Sequence, residues 1–72
     1  MGRFPTLIER LRVEQDLTYE QVAARAQLDR DTIRKYAQGR VHRPRLLTLR
    51  RIAEALGADM WDLARDYREE AP

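Results

Sequence analysis

The stretch from Leu17 to Gly39 carries two short helical signals separated by a break of about three residues, and no other feature constrains the chain as much. Thr18 is a good N-cap, and Gln21 three residues on completes a capping-box pattern. Val22, Ala23 and Ala26 then recur on one apolar face. Asp29 is a second N-cap, and Gly39 is a natural terminator at C′. Between them Ile33 and Tyr36, with Ala37, face inward, while Arg30, Asp31, Arg34, Lys35 and Gln38 fall on the opposite side. Two helices joined so tightly form a helix-turn-helix, which can set its second helix in a DNA major groove. Ala23 is small where two closely crossing helices leave little room.

The rest of the chain continues the helical pattern. Met1 to Pro5 reads as a short arm. Thr6 and Glu9 predict a capping box for a first helix with Leu7, Ile8 and Leu11 inward, ended by Glu14, Gln15 and Asp16. Gly39 to Pro44 reads as a loop. Leu46 to Leu56 predicts a fourth helix, with Leu49, Ile52, Ala53 and Leu56 at i, i+3, i+4 and i+7 and Gly57 at its end. Asp59 caps a fifth helix whose Met60, Leu63, Ala64 and Tyr67 share one stripe. Residues 68 to 72 read as a frayed tail. There is no strand-period alternation, no internal repeat and no low-complexity segment. The fold expected is all-α, a compact bundle of five short helices forming one domain over residues 1 to 72, with the helix-turn-helix at about 18 to 38 as helices 2 and 3.

Charge is distributed unevenly. The chain carries +2 overall, but residues 1 to 29 sum to −1, residues 30 to 51 to +7 and residues 52 to 72 to −4. The basic block coincides with the second motif helix and the loop after it, where phosphates would lie. A charge run can also be a solvated face that serves solubility. A 72-residue chain buries only about 60% of its unfolded surface, and without cysteine no disulfide or thiolate metal site adds to its stability. No apolar run reaches the roughly 18 residues of a membrane span, and the N-terminus lacks a signal-peptide apolar region. Met1-Gly2 through Thr6 matches a loose myristoylation pattern, against which the early Pro5 counts.

The motif resembles the Cro/lambda-repressor-like, or XRE-type, helix-turn-helix family. Leu17-Thr18, Val22-Ala23, Ile33 and Gly39 occupy that family's pattern. Pro44, Leu46, Leu49, Ile52, Ala53, Leu56-Gly57 and Leu63 follow its fourth and fifth helices in order, so the resemblance spans roughly residues 6 to 66. The chain departs from it in three places. Gln27 stands where the family usually has Gly in the turn, and a left-handed backbone there would cost Gln more than Gly. Ala37 stands where Glu is frequent, and Arg45 where a Ser cap is usual.

The resemblance implies sequence-specific binding of double-stranded DNA by a small transcriptional regulator, a repressor in the simplest case. It implies a homodimer on a palindromic operator, in the cytoplasm of a bacterium or of a phage host, on the nucleoid. Positions matching Arg30, Asp31 and Lys35 commonly touch bases in the family; Arg and Lys suit the acceptors of guanine, and Asp suits the cytosine amino group. Asp31 can equally form an i, i+4 ion pair with Lys35, and Arg34 fits either a base or a phosphate. Gln38, Arg40, His42, Arg43 and Arg45 are the expected backbone contacts. Tyr19 either donates its hydroxyl to a phosphate or lays its ring against the second motif helix. Trp61, at the edge of the fifth-helix stripe where the family is normally polar, is either a lid on the fourth helix or, with Arg65, a dimer interface.

Two rival readings differ in class. A helix-turn-helix-shaped protein-interaction module, antitoxin-like or bridging, would favour an exposed apolar patch over a basic one. An enzyme is disfavoured by composition, since the chain has no Ser, Cys or Asn and one histidine, His42. Asp59 and Asp62 read as helix-start residues. No metal-ligand cluster, cofactor motif or small-molecule site is expected.

Overall fold

A computed structural model describes residues 5–70, with side chains through Arg68. The expectations that fall on residues 1–4 and 71–72, the myristoylation pattern among them, lie outside the described residues. Five helices follow in order: α1 (Leu7–Glu14), α2 (Tyr19–Ala26), α3 (Arg30–Ala37), α4 (Leu46–Leu56) and α5 (Met60–Glu70). The chain belongs to the all-α class, and its extents are 30 × 25 × 20 Å.

Local chemistry sets most of the helix ends. Thr18 accepts from the Gln21 amide N–H, and the Gln21 side chain accepts from the Thr18 N–H, completing a reciprocal capping box. Asp29 accepts from the Thr32 N–H at 2.8 Å to start α3, and Asp59 accepts from the Trp61 N–H at 2.7 Å to start α5. Gly57 ends α4 in the left-handed region at φ 69°. The turn between the motif helices is left-handed at Gln27, φ 57°, where the side chain bears the steric cost that glycine avoids.

At α1 only half of the predicted capping box forms. Thr6 accepts from the Glu9 N–H at 3.1 Å, but the Glu9 carboxylate turns away to Arg12. A different free amide of the first turn, that of Leu7, is taken by Asp66 of α5, at 2.9 Å. That bond and the burial of Tyr67 anchor the last helix, which runs to Glu70. Beyond the C-cap Gln15 of α1, Asp16 turns the chain in the left-handed region at φ 56°.

The core lies between the helices. Ile8 of α1, Val22 of α2, Ile33 of α3, Leu49 and Ile52 of α4 and Leu63 of α5 are fully buried. α4 packs against α1, α2 and α5, and α2 packs against α3. One apolar stripe per helix therefore meets at one centre, and every helix keeps a polar face outward.

Candidate nucleic-acid interface

α3 buries Ile33, Tyr36 and Ala37 and leaves Arg30, Asp31 and Lys35 exposed, with Arg34 half-buried. Its eight residues make barely two turns, so Arg30, Asp31, Arg34 and Lys35 fall within the outward half of one short cylinder. Gln38 follows, exposed, and Gly39 turns the chain away at φ 69°. Arg40, His42, Arg43 and Arg45 line the exposed loop and the start of α4. The links the structure shows between α3 and this loop are Arg40 to the Gln38 side chain and the Arg45 backbone N–H to the Tyr36 hydroxyl.

Asp31 pairs with Arg34 (3.7 Å, i,i+3) and not with Lys35, the partner that i, i+4 spacing suggested. Both spacings are close on a helix, and here the longer, half-buried arginine folds back over its own turn. The Nε of Arg34 is buried and has no hydrogen-bond partner. Asp29 caps the helix, and hydrogen bonds from Thr32 hold its carboxyl below the usual range.

The cations differ in their pairing: among the described residues, on this surface Arg34 alone has a carboxylate partner, while elsewhere Arg25 and Arg51 have none. Arg10, Arg12, Arg50 and Arg65 each have a carboxylate partner, in Asp66, Glu9, Glu54 and Asp62. Among the described residues Arg30, Lys35, Arg40, Arg43 and Arg45 have none. Arg40 is held only by Gln38, whose side-chain oxygen accepts at 3.4 Å. Arg45 makes no side-chain cap for α4, in keeping with the lost Ser cap, and its guanidinium stays free while its backbone N–H donates to the Tyr36 hydroxyl at 3.1 Å.

Tyr19 is engaged by two residues of α1. Its ring lies under the Arg12 guanidinium of α1, 4.4 Å from the centroid. Its hydroxyl donates to Glu9 at 3.2 Å. A phosphate would have to displace an acceptor already in place and approach a carboxylate to do so.

Two residues behind the surface escaped the sequence pattern as supports. The Thr6 hydroxyl donates to the Ala37 carbonyl at 2.6 Å, and the Tyr67 hydroxyl donates to the Tyr36 carbonyl. Thr6 read only as a cap and Tyr67 only as a stripe residue; a bond to a backbone carbonyl leaves no trace in side-chain spacing.

Among the described residues no group of His, Asp or Glu could hold a metal ion, and no helix is long and apolar enough to cross a membrane. A family model described as a helix-turn-helix domain matches residues 4–66. No curated protein and no solved structure matches the chain.

Proposed function

Because the chain belongs to the helix-turn-helix domain family of the XRE/Cro type, a family of DNA-binding domains, we propose that it binds double-stranded DNA sequence-specifically as a small transcriptional regulator, most simply a repressor. α3 enters the major groove with Arg30, Asp31, Arg34 and Lys35 toward the base edges. Gln38, Arg40, His42, Arg43 and Arg45 lie along the phosphates. The observation that carries this reading is the run of exposed cations on α3 and its loop with no carboxylate partner among the described residues. Unpaired guanidinium and ammonium groups on one face release counterions when phosphates replace them. Tyr19 has no part in this proposal, since its hydroxyl is committed to Glu9.

The operator is palindromic and the protein dimeric, with Trp61 and Arg65 at the two-fold contact. Trp61 is 62% exposed, which supports a contact with a second copy over a lid packed on α4. The same exposure, with Val13, Leu46 and Leu47, favours the second reading, a protein-interaction module. Selection from random duplex DNA separates the two. An enriched palindrome is expected; enrichment of no sequence, with binding insensitive to salt between 50 and 200 mM, overturns the DNA reading.

A further inference from the structure

The last carbonyls of any helix lack partners within it. At the end of α3 the Tyr36 carbonyl accepts from the Gly39 N–H at 3.2 Å, and two hydroxyls from distant parts of the chain add to it: Thr6 holds Ala37, and Tyr67 holds Tyr36, each across 31 residues. Tyr36 is gripped at its other end too, where its own hydroxyl accepts from the N–H of Arg45. Its ring meets that of Tyr67 edge to face, with centroids 5.8 Å apart. The Thr6 methyl sits 3.3 Å from where a Cβ on Gly39 would lie, so the turn leaving α3 closes directly on it. One buried cluster therefore joins the caps of α1 and α4, the body of α5 and the C-terminal end of α3.

On the DNA-binding reading above, we infer that Thr6 and Tyr67 are positioning residues for recognition: they fix the pitch of α3 relative to the loop of Arg40 to Arg45. The readout turn at Arg30 lies roughly 10 Å along α3 from this anchor, at about 1.5 Å per residue. A tilt of about 5° would move it by about 1 Å, twice the tolerance of roughly 0.5 Å within which a preorganised contact must be held. Phosphate contacts from long, exposed arginines absorb such a shift; base contacts do not. The cluster therefore governs discrimination between sequences more than affinity for DNA as such.

The test uses Tyr67→Phe, which keeps the ring and removes the hydroxyl, with Thr6→Ser as the conservative control that keeps its bond. Circular dichroism establishes folding. Affinity is then measured for the duplex recovered by selection and for an unrelated duplex of equal length. The expected result is a ratio of the two narrowed about two- to tenfold in Tyr67→Phe, the span of one hydrogen bond's net effect, and unchanged in Thr6→Ser. A purely structural role would lower both affinities together through the folded fraction and leave the ratio alone, which overturns the inference. Should Tyr67→Phe not fold, Thr6→Val compared with Thr6→Ser gives the same reading. A wild-type chain with no preference among duplexes defeats the DNA reading and this inference together. A wild-type preference that survives the variants undiminished defeats the inference alone.

Discussion

Tyr19 donates its hydroxyl to Glu9 at 3.2 Å, while both oxygens of the same carboxylate engage Arg12. Arg12 in turn donates to the Leu17 carbonyl at 2.6 Å, so this trio ties the start of the motif to α1. The hydroxyl is thus part of the scaffold. Tyr19→Phe is expected to cost about 0.5 to 1.5 kcal/mol in urea unfolding and to leave DNA affinity within about twofold. A tenfold loss of affinity in a variant of unchanged stability would restore the phosphate contact.

The same trio predicts a pH dependence. The hydrogen bond from Arg12 holds the Glu9 carboxyl below its usual range, its burial opposing and the charge and Tyr19 assisting. A carboxyl depressed in the folded state stabilises the fold fully above its unfolded pKa, about 4.3, and loses that contribution as pH falls through the folded value. Glu9→Gln should therefore be less stable than wild type at pH 7, with the gap closing below about pH 4.3. Urea midpoints across pH 2.5 to 7 would show it, and a gap that stays constant would assign the effect to packing.

Gln27 and the two left-handed glycines make a paired prediction about the backbone. A non-glycine residue in the left-handed region costs about 1 to 2 kcal/mol, and glycine's greater unfolded freedom returns part of this. Gln27→Gly is expected to raise stability by about 0.5 to 1 kcal/mol, because what α2 and α3 need from position 27 is its backbone conformation. Conversely, Gly57→Ala meets nothing within 4 Å and bears only the backbone cost, whereas Gly39→Ala also presses Thr6 at 3.3 Å. Gly39→Ala should be the more damaging of the two. Equal midpoints would mean that Thr6 yields without loss.

These positions also show where sequence reasoning reaches its limit. Thr18, Asp29, Gly39 and Gly57 act through their immediate neighbours, so their roles are legible in short windows. The buried stripe of α4 is legible because burial follows the helical period. Asp66 on the Leu7 amide is not legible, since 59 residues separate the partners and one of them is backbone. The choice of Arg34 over Lys35 by Asp31 turns on rotamers, which spacing leaves open. The family resemblance points Tyr19 toward a phosphate, and spacing gives no sign that its ring lies under a cation of α1. The outward face of α3 was legible because its inward face is so clearly apolar.

Asp31 and Arg34 carry a prediction of their own. Their pair is mostly exposed, with side chains 72% and 44% accessible, so it contributes at most about 1 kcal/mol to stability. Its effect should appear on DNA, where Asp31 is the one acid within the block from Arg30 to Arg51. Asp31→Ala is expected to change stability by less than about 0.5 kcal/mol. It should tighten binding to unrelated duplexes by removing a repelled charge and relax preference at a single base pair by about 1 to 3 kcal/mol. Uniform tightening across all sequences, with no position relaxed, would reduce Asp31 to an electrostatic brake.

Trp61 carries the last prediction, on assembly. Its indole is 62% exposed although its backbone N–H is fixed by Asp59, and Arg65 one turn on is already paired with Asp62 at 2.5 Å. Removing an exposed side chain leaves no cavity, so Trp61→Ala should change monomer stability by less than about 0.5 kcal/mol. At a two-fold contact each indole could bury on the order of 150 Å², about 4 kcal/mol by area. Two indoles together give about 8 kcal/mol, which only just matches an association cost of about 4 to 15 kcal/mol. The dimer expected is therefore weak in free solution and completed on DNA, where two recognition helices about 34 Å apart meet successive turns of the groove. Sedimentation of wild type should show mass rising with concentration and rising further with an operator duplex. Trp61→Ala should remain a folded monomer that binds the operator with half-site affinity. Undiminished self-association in that variant would place the interface elsewhere, and a sharp loss of stability without a change of mass would show that the indole serves its own chain.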